Sequence, residues 1–372
     1  MRVVQVIGRS TGGIGTHAVD LTDHLRALGD EVTVVTDSIT AERFDLGDAR
    51  RWWPSGPTPG SARNLLRLRR LARSSDVVHA HGHQAGLVAV LAASGTGVPV
   101  IVSQHNAVLA GGWKRKLSSR VLQRFVARRA ALSTGASSDL VLEAKRHGAR
   151  ESVLAPVPSP RVPKLLQSAP LDRDERRART GALLQEHKID VSGALVLTIA
   201  RIAPQKDLDT IIDSANLVGV AITWVVVGDG DDALLDQLRA RARSENVPVH
   251  FVGQQSDPER WLEAAEVFVL TSTWEARALV VQEAMAAGVP VVATDTGGLR
   301  DLVDGVGVLV RVGDAFAVGA ALRTLLTDTK ARETASVAGR ERAGQWADSE
   351  MTARQWREWY GRLRGHTRDA WR

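Results

Sequence analysis

Apolar runs typical of buried strands alternate with segments of helical length along the whole chain, and this alternation constrains the fold more than any other sequence feature. Runs such as residues 3–7, 77–81, 195–199 and 267–270 have the length and composition of strands that are buried on both faces. Parallel strands need long crossover connections, which are usually helices. The pattern therefore predicts an α/β fold class with doubly wound, Rossmann-like parallel sheets.

A proline-rich segment, residues 154–164, interrupts the pattern near the middle of the chain. The total of 372 residues suits two domains that each bury a core. We predict an N-terminal domain over residues 1–157 and a C-terminal domain over residues 158–347. A last helix is expected from about residue 348 to residue 372.

Composition excludes several classes of protein. The chain has no cysteine, so disulfide frameworks and thiolate metal sites are excluded. The first residues resemble a strand that runs into a glycine loop rather than a signal peptide, and no apolar run reaches the length of a membrane span. These features predict a cytoplasmic protein.

The formal net charge of +6 arises partly from a stretch, residues 111–131, that holds seven Lys or Arg and no acid. Its apolar residues recur at helical spacing on one side. Two interpretations remain open: a basic surface that contacts an anionic acceptor or the inner face of the plasma membrane, and a solvated helix that covers the core. No helix-turn-helix, zinc-finger or aromatic RNA-binding signature is present, so nucleic acid is not an expected partner. The proposed membrane or acceptor patch comprises Trp113, Lys114, Arg115, Lys116 and Arg120.

Two glutamates eight residues apart mark a candidate ligand site in the C-terminal half. Glu275 follows a strand in a strand-to-helix loop, and Glu283 is expected about two turns inside the next helix. The free N–H groups of that helix start, at Ala278, Leu279 and Val280, favour a phosphate.

Two cations mark a second part of the same candidate site. Arg201 ends a buried strand and Lys206 follows five residues later, an arrangement that suits a diphosphate. A Gly-Asp-Gly turn at Gly228–Gly230 and the segment His250–Gly253, followed by Gln254, come next along the chain. Asp229, Asp231 and Asp232 resemble a metal-binding Asp-x-Asp motif, but Asp231 and Asp232 are also expected at a helix start, where the helix dipole favours acids.

The N-terminal half offers a glycine loop and several histidines. Gly12 and Gly13 follow the first strand and allow close approach of a phosphate or sugar. The glycine spacing fits a dinucleotide-binding fingerprint poorly, and the single tyrosine leaves no Tyr-x3-Lys motif of a short-chain dehydrogenase. Three histidines at 79, 81 and 83 would share one face if their strand continued, which leaves a zinc site as an alternative to a structural role.

Taken in order, Arg-x4-Lys, the Gly-Asp-Gly turn, His-Phe-Val-Gly and Glu-x7-Glu resemble the motifs of the family 4 retaining glycosyltransferases of GT-B fold. The glycine loop and the His-Ala-His strand end extend this resemblance over nearly the whole chain. It implies two doubly wound domains that face each other across a cleft, with a last helix that packs back on the N-terminal domain. It also implies a nucleotide-diphosphate sugar as donor substrate, no separate cofactor, no metal, and retention of the anomeric configuration.

The resemblance also assigns roles to the candidate residues. Arg201 and Lys206 would neutralise the leaving diphosphate, with help from the N–H groups near Ala278–Val280. Glu283 would accept hydrogen bonds from the ribose, and Glu275 would hold the sugar. His105 would lie near the transferred sugar, although a structural role for this histidine remains open. Gly12, Gly13, Gly253 and Gln254 complete the expected donor contacts.

Residues 276–278, Ala-Arg-Ala, depart from the glycine, proline and aromatic residues usual after the first Glu of this family. Their Cβ atoms restrict the turn, and Arg277 adds a charge near the donor or acceptor. The acceptor is expected to carry a hydroxyl, with lipid-linked or anionic cell-envelope molecules as candidates. Two alternative functions remain open: a GT-B sugar-nucleotide epimerase, and a non-catalytic scaffold that has kept the fold.

Overall fold

The computed structural model describes residues 1–10, 12–54, 58–107 and 113–369, without the side chains of residues 113–117 and 366–369. Within these residues the strands β1 to β12 are, in chain order, Arg2–Ile7, Glu31–Val35, Val77–His81, Val100–Gln104, Leu132–Gly135, Ser152–Leu154, Ala194–Ile199, Ile222–Val227, Val249–Gly253, Val267–Leu270, Val291–Thr294 and Val308–Val310. The helices α1 to α16 are Gly13–Ala27, Ser38–Arg43, Pro59–Arg73, His83–Ala93, Trp113–Arg129, Ser138–Arg146, Val162–Gln167, Arg173–Glu186, Leu208–Ala215, Asp232–Ser244, Pro258–Ala264, Leu279–Ala286, Gly298–Val303, Ala315–Thr327, Thr329–Gly344 and Ser349–Asp369. A 3₁₀ helix covers Pro204–Lys206.

The chain divides into two compact units. The first unit comprises Met1–Pro160 together with Ala347–Arg372, and the second comprises Arg161–Trp346. Each unit contains one six-stranded sheet in which every paired strand is parallel. The predicted class, two doubly wound parallel sheets with flanking helices, is therefore confirmed.

The sheet of the first unit has the strand order β2-β1-β3-β4-β5-β6. Because β2 and β3 lie on opposite sides of β1, the strand order reverses between β1 and β3. One face of the sheet packs against α3, α4 and α5 through residues such as Val78 and Val102. The other face packs against α1 and α16 through residues such as Val3 and Ile101.

The last helix, α16, is an integral part of the first unit. Trp356 and Tyr360 are fully buried in the core that α16 shares with α1 and the sheet. The indole of Trp356 lies 4.3 Å, centroid to centroid, from the imidazole of His79 on β3. Burial of two large aromatic side chains contributes several kcal/mol, so this helix is fixed by packing rather than by helix propensity.

The second sheet has the order β12-β11-β10-β7-β8-β9, so its strand order reverses between β7 and β10. One face is covered by a core that includes Leu197, Phe268 and Met285. The other face is covered by a core that includes Trp224, Ile211 and Leu322. In open parallel sheets, ligands bind outside the carboxyl ends of the strands at such a reversal point.

Differences from the sequence-based expectations have local causes. The apolar sequence of residues 289–293 predicts a strand over that whole run, but β11 begins only at Val291, because Pro290 has no N–H to donate to the ladder. Helix α12 begins at Leu279, so Glu283 lies just over one turn inside it instead of the expected two. The expected strands of the first half did not include β6, whose three residues end in an exposed leucine, Leu154.

No helix among the described residues combines the length and apolar character needed to cross a membrane.

Candidate functional site

The loops that follow β7 and β10 are joined by hydrogen bonds at the reversal point of the second sheet. The Thr271 hydroxyl donates to the carbonyl of Lys206 over 3.0 Å. The backbone N–H of Thr273 donates to the carbonyl of Gln205 over 2.8 Å, and the Gln205 side-chain amide donates to the carbonyl of Trp274 over 2.6 Å. These bonds fix the two loops against each other, which is the condition for a preorganised site.

Lys206 and Glu275, from the two joined loops, form an ion pair. The ammonium of Lys206 donates to Oε1 of Glu275, and the Ser272 hydroxyl donates to the same oxygen over 2.7 Å. The Glu275 carboxylate is largely buried. Both hydrogen bonds to this carboxylate that the structure describes engage Oε1.

Arg201 lies one residue beyond the alanine that follows β7, and its side chain is exposed. Its backbone is fixed by the Gly-Asp-Gly turn after β8. The N–H of Ile202 donates to the carbonyl of Asp229 over 2.8 Å, and the N–H of Asp231 donates to the carbonyl of Ile202 over 2.9 Å. Arg201 thus lies at the carboxyl end of β7, in the same loop that carries Lys206.

The two glycines of this turn are required by close packing. A Cβ on Gly228, whose φ is +143°, would lie 2.0 Å from the carbonyl oxygen of Ala200. A Cβ on Gly230 would lie 2.2 Å from the carbonyl oxygen of Ile202. Real Cβ atoms do not make such contacts, so any side chain at either position displaces the backbone on both sides of Arg201.

Gly253 is the last residue of β9, the neighbour of β8, and Gln254 follows it. The N–H of Gly228 donates to the carbonyl of Gly253 over 2.9 Å, and Gly253 has a φ of +73° that favours glycine. The Gln254 side chain is exposed. The structure thus places both residues next to the turn that supports Arg201.

Helix α12 offers its N-terminus at the same edge of the sheet. Ala278 occupies the N-cap position and has no side chain that could cap the helix. The first backbone hydrogen bonds into the helix are donated by Val281 and Gln282 to the carbonyl of Ala278. The N–H groups of Leu279 and Val280 precede these bonds, and N–H groups in the first turn of a helix favour an anion.

Glu283 is deeply buried, with 2% of its surface exposed. Nη1 of Arg161 lies 3.4 Å from its Oε1. The Arg161 side chain is itself exposed and also approaches Glu259, so one cation links a buried and a half-buried carboxylate. A buried carboxylate is stabilised by such a partner, which the sequence analysis did not anticipate.

The loop after β11 is joined to the Glu275 loop. The N–H of Gly298 donates to the carbonyl of Glu275 over 2.8 Å, and the Thr296 hydroxyl donates to the carbonyl of Thr273 over 3.1 Å. Gly297 has a φ of +49°, and a Cβ there would lie 2.1 Å from the Glu275 carbonyl oxygen. The Glu275 loop, which follows β10, is thus held in place by the loops after its two neighbours in the sheet, β7 and β11.

Arg277, which departs from the usual family pattern, packs over the indole of Trp346, with Cζ 5.3 Å from the ring centroid. Burial lowers the pKa of its guanidinium to about 10, although the nearby Asp301 acts in the opposite direction. The residue therefore serves the packing of the second unit at this loop.

Gly12 and Gly13 lie at the start of α1 in the first unit, and both are exposed. The turn before them is fixed by Ser10: its N–H donates to the Thr40 hydroxyl, and its own hydroxyl accepts from the N–H of Gly15, each over 2.9 Å. The backbone at Gly12 and Gly13 is therefore held in place and accessible.

His105 directly follows β4 and is buried. Its Nε2 lies 3.2 Å from Nδ1 of His81, at the end of β3, and the His17 ring lies 5.5 Å away, centroid to centroid. Burial lowers the pKa of His105 to about 3 and that of His17 to about 4. These imidazoles are therefore neutral near pH 7.

The histidines at 79, 81 and 83 do not share one strand face. Strand β3 ends at His81, and His83 is the first residue of α4, where its Nε2 lies 3.0 Å from the carbonyl oxygen of Asn106. Across the described residues, no group of three or more His, Asp or Glu side chains is arranged to hold a metal ion. The Asp231 carboxylate caps α10 by accepting from the N–H of Leu234 over 3.0 Å.

The proposed patch at the start of α5 is described only in part. The side chains of Trp113, Lys114, Arg115 and Lys116 lie outside the described residues, whereas Arg120 is exposed.

Helix α5 covers part of the core through Val126, but its apolar side is not wholly buried. Val121 is 61% exposed, and Leu122 and Phe125 are also exposed, whereas Val126 is buried. The exposed residues alternate along the helix with Arg120 and Arg124. This part of α5 therefore presents a mixed basic and apolar surface.

Four residues of the candidate sites in the two units were not among the sequence-based candidates. They are Gln5 and His17 in the first unit, and Arg161 and Ser272 in the second. Gln5 carries a detectable signal, because it is the single polar residue in the apolar run of β1. Arg161 contacts Glu283, which is distant in sequence, and Ser272 contacts Glu275 within an irregular loop. No local sequence pattern therefore identifies either residue.

Comparison with known proteins gives consistent results for both units. Residues 12–160 match the family model described as glycosyl transferase 4-like domain, and residues 181–342 match glycosyl transferases group 1. The chain is 28% identical over 376 residues to a D-inositol 3-phosphate glycosyltransferase of Jonesia denitrificans, covering 90% of this chain and 88% of that protein. It is 30% identical over 411 residues to a protein of the same name from a Nocardioides species, covering 96% and 87%.

Among solved structures, Anabaena HepE in complex with UDP superposes with a TM-score of 0.81 at 20% identity, covering 96% of this chain and 99% of that chain. At this identity the likeness concerns the fold, and it agrees with the two doubly wound units described above.

Gly228→Ala is expected to destabilise the second unit by about 2 kcal/mol and to displace Arg201, because its Cβ would overlap the Ala200 carbonyl. Urea denaturation followed by circular dichroism measures the loss. The matched control is Gly181→Ala in α8, where a Cβ meets no atom within 4 Å and should stabilise the helix slightly. Equal midpoints for the two variants would contradict the packing role of Gly228.

Proposed function

Because the chain belongs to the family 4 glycosyltransferases and takes a nucleotide-sugar donor, we propose that it transfers a hexosyl group to a hydroxyl of an anionic acceptor. In this proposal the anomeric configuration is retained and no metal takes part. The observation that carries the proposal is the Lys206–Glu275 pair at the reversal point of the second sheet, with Arg201 in the same loop after β7 as Lys206. Such a point is where doubly wound sheets bind nucleotides.

Arg201 and Lys206 bind the diphosphate of the donor in this scheme. Negative charge grows on the diphosphate as the sugar leaves, and fixed cations stabilise that charge more than the ground state. The ion pair with Glu275 holds the Lys206 ammonium in position before the donor arrives, which limits the reorganisation needed during the reaction. The N–H groups of Leu279 and Val280 add two neutral donors.

Glu275 and Glu283 bind the two ends of the donor. Oε2 of Glu275 accepts a hydrogen bond from a hydroxyl of the transferred sugar, while Oε1 remains with Lys206 and Ser272. Glu283 accepts hydrogen bonds from the ribose, and Arg161 places a positive charge 3.4 Å from the buried carboxylate. Gly253 and Gln254 bind the donor from the neighbouring strand end.

The transfer step follows a front-face course. The bond between the anomeric carbon and the diphosphate oxygen breaks while a bond to the acceptor oxygen forms on the same face of the sugar. The acceptor proton passes to the departing diphosphate oxygen. Gly12, Gly13 and His105 of the first unit contact the substrates, with His105 near the transferred sugar.

The acceptor class is proposed from charge and from the named relatives. The two bacterial relatives are called D-inositol 3-phosphate glycosyltransferases, so a phosphorylated polyol is the first acceptor to test. The basic α5 surface of the first unit supports an anionic molecule. A lipid-linked acceptor would use the same surface, and peripheral contact with anionic membrane at the cytoplasmic face is part of the proposal.

Arg201→Ala is expected to lower kcat about 100-fold to 1,000-fold, the usual effect of removing one group that stabilises transition-state charge. Release of nucleoside diphosphate in the presence of acceptor measures the rate, and analysis of the product identifies the glycoside. The matched control, Arg243→Ala, removes an exposed arginine from α10 of the same unit and should leave kcat unchanged. Normal turnover in Arg201→Ala would contradict the assignment, and an altered sugar without a glycoside would indicate the epimerase.

The paired change Arg120→Ser with Arg124→Ser is expected to weaken binding to phosphatidylglycerol vesicles roughly thirtyfold, because each basic residue near an anionic surface contributes about 1 kcal/mol. Vesicle sedimentation at 0.1 M salt measures the binding. Arg173→Ser with Arg177→Ser removes two exposed charges from α8 of the second unit and serves as the control. The membrane proposal fails if the wild-type chain does not sediment with these vesicles, or if both double variants lose binding equally.

A further inference from the structure

A set of polar side chains lies inside the first unit, on the face of its sheet that α1 and α16 cover. They occupy alternate positions of four adjacent strands, so they project from the same face. All are almost completely inaccessible to solvent. The set comprises Gln5 on β1, His79 and His81 on β3, Ser103 on β4 and Thr134 on β5. Polar groups at this depth persist only when they are hydrogen-bonded to one another.

His79 forms one branch of this network. Its Nδ1 lies 2.7 Å from the hydroxyl of Tyr360 on α16, and its Nε2 lies 2.7 Å from the hydroxyl of Ser103. The Ser103 hydroxyl continues to that of Thr134 over 2.8 Å. This branch joins the last helix to the sheet, and its hydrogen bonds do not include His105.

Gln5, His81 and His105 form the second branch. Oε1 of Gln5 lies 3.1 Å from Nε2 of His81, and Nδ1 of His81 lies 3.2 Å from Nε2 of His105. The His81 and His105 rings are stacked, with an interplanar angle of 13°. The branch therefore runs as a chain from an amide inside the sheet to the histidine at the strand end.

With Oε1 of Gln5 facing His81, counting protons gives the direction of each hydrogen bond in this second branch. Burial lowers the pKa of His81 well below its ordinary value and that of His105 to about 3, so each ring carries one proton near pH 7. A neutral imidazole has one donor and one acceptor nitrogen. The Gln5 oxygen can only accept, so Nε2 of His81 donates to it. Nδ1 of His81 then accepts, and Nε2 of His105 must donate.

The groups that face His105 from the other elements do not disturb this order. They are His17 on α1 and His83 at the start of α4, and burial lowers the pKa of both. Neutral neighbours leave the tautomer of His105 to be decided by its hydrogen bond.

We propose that Gln5, acting through His81, holds His105 in the Nε2–H tautomer and so reserves its Nδ1 as a hydrogen-bond acceptor for a substrate hydroxyl. Gln5 and His81 are positioning residues in this scheme, and only the substrate contact of His105 rests on the proposed function. The opposite orientation of the Gln5 amide would reverse every proton in the chain and make Nδ1 a donor. The two states differ in a property that can be measured without substrate.

Long-range proton–nitrogen correlation spectra of the full chain, labelled with nitrogen-15 in histidine, distinguish the two tautomers directly. His105→Gln assigns the signals. The wild-type chain should show His105 with its proton on Nε2, and Gln5→Met, which keeps the length but removes the acceptor, should show a mixture of tautomers. The matched control, Tyr360→Phe, removes the hydroxyl bonded to His79 at a position as deeply buried as Gln5. It should leave the His105 signals unchanged. A wild-type His105 protonated on Nδ1, or a Gln5→Met spectrum identical to wild type, would overturn the proposal.

Kinetics then tests whether the tautomer matters for the reaction. Gln5→Met should lower kcat about tenfold and leave the donor KM within about twofold, because the loss corresponds to one misdirected hydrogen bond. Tyr360→Phe should leave kcat near the wild-type value. Unchanged kcat in Gln5→Met, with the tautomer altered, would overturn the positioning role. A chain that transfers no sugar, yet shows the Gln5-dependent tautomer, would refute the proposed function and support the tautomer assignment.

Discussion

The site of the second unit depends on the parallel pairing of β7 with β10 at the centre of the second sheet. This pairing brings together two loops that are far apart in sequence and lets Lys206 reach Glu275 across 69 residues. The ion pair alone is a modest source of stability, since desolvation offsets much of its attraction. Its importance lies in position, because the surrounding backbone hydrogen bonds hold both charges at the strand ends where a nucleotide would bind.

Close backbone packing complements this arrangement. Gly228 and Gly230 allow the turn after β8 to contact the backbone beside Arg201, and Gly297 allows the loop after β11 to contact Glu275. The site of the second unit thus consists of charged side chains on loops that cannot shift independently. The first unit uses a different device, a buried polar network that links Gln5 to His105 and the sheet to α16.

The strands and the two-sheet organisation could be predicted because short apolar runs and crossover lengths determine them locally. Strand β6 was not predicted, because its three residues have no distinct pattern. The exposure of Val121 was not predicted either, because it depends on neighbouring elements and not on the helical periodicity of the sequence. Motif spacing singled out both Lys206 and Glu275, but their contact follows from strand order. Arg161 and Gln5 are recognised only when a buried partner, Glu283 or His81, shows what each side chain meets.

The central claim is that the second unit binds a nucleoside diphosphate through fixed cations without a metal. Calorimetric titration of the chain with UDP, GDP and ADP, in the presence of EDTA, tests it most directly. We expect clear binding of one of these nucleotides to the wild-type chain. Lys206→Met should lose that binding while keeping its fold. Absence of binding to all three, or binding that EDTA abolishes, would contradict it.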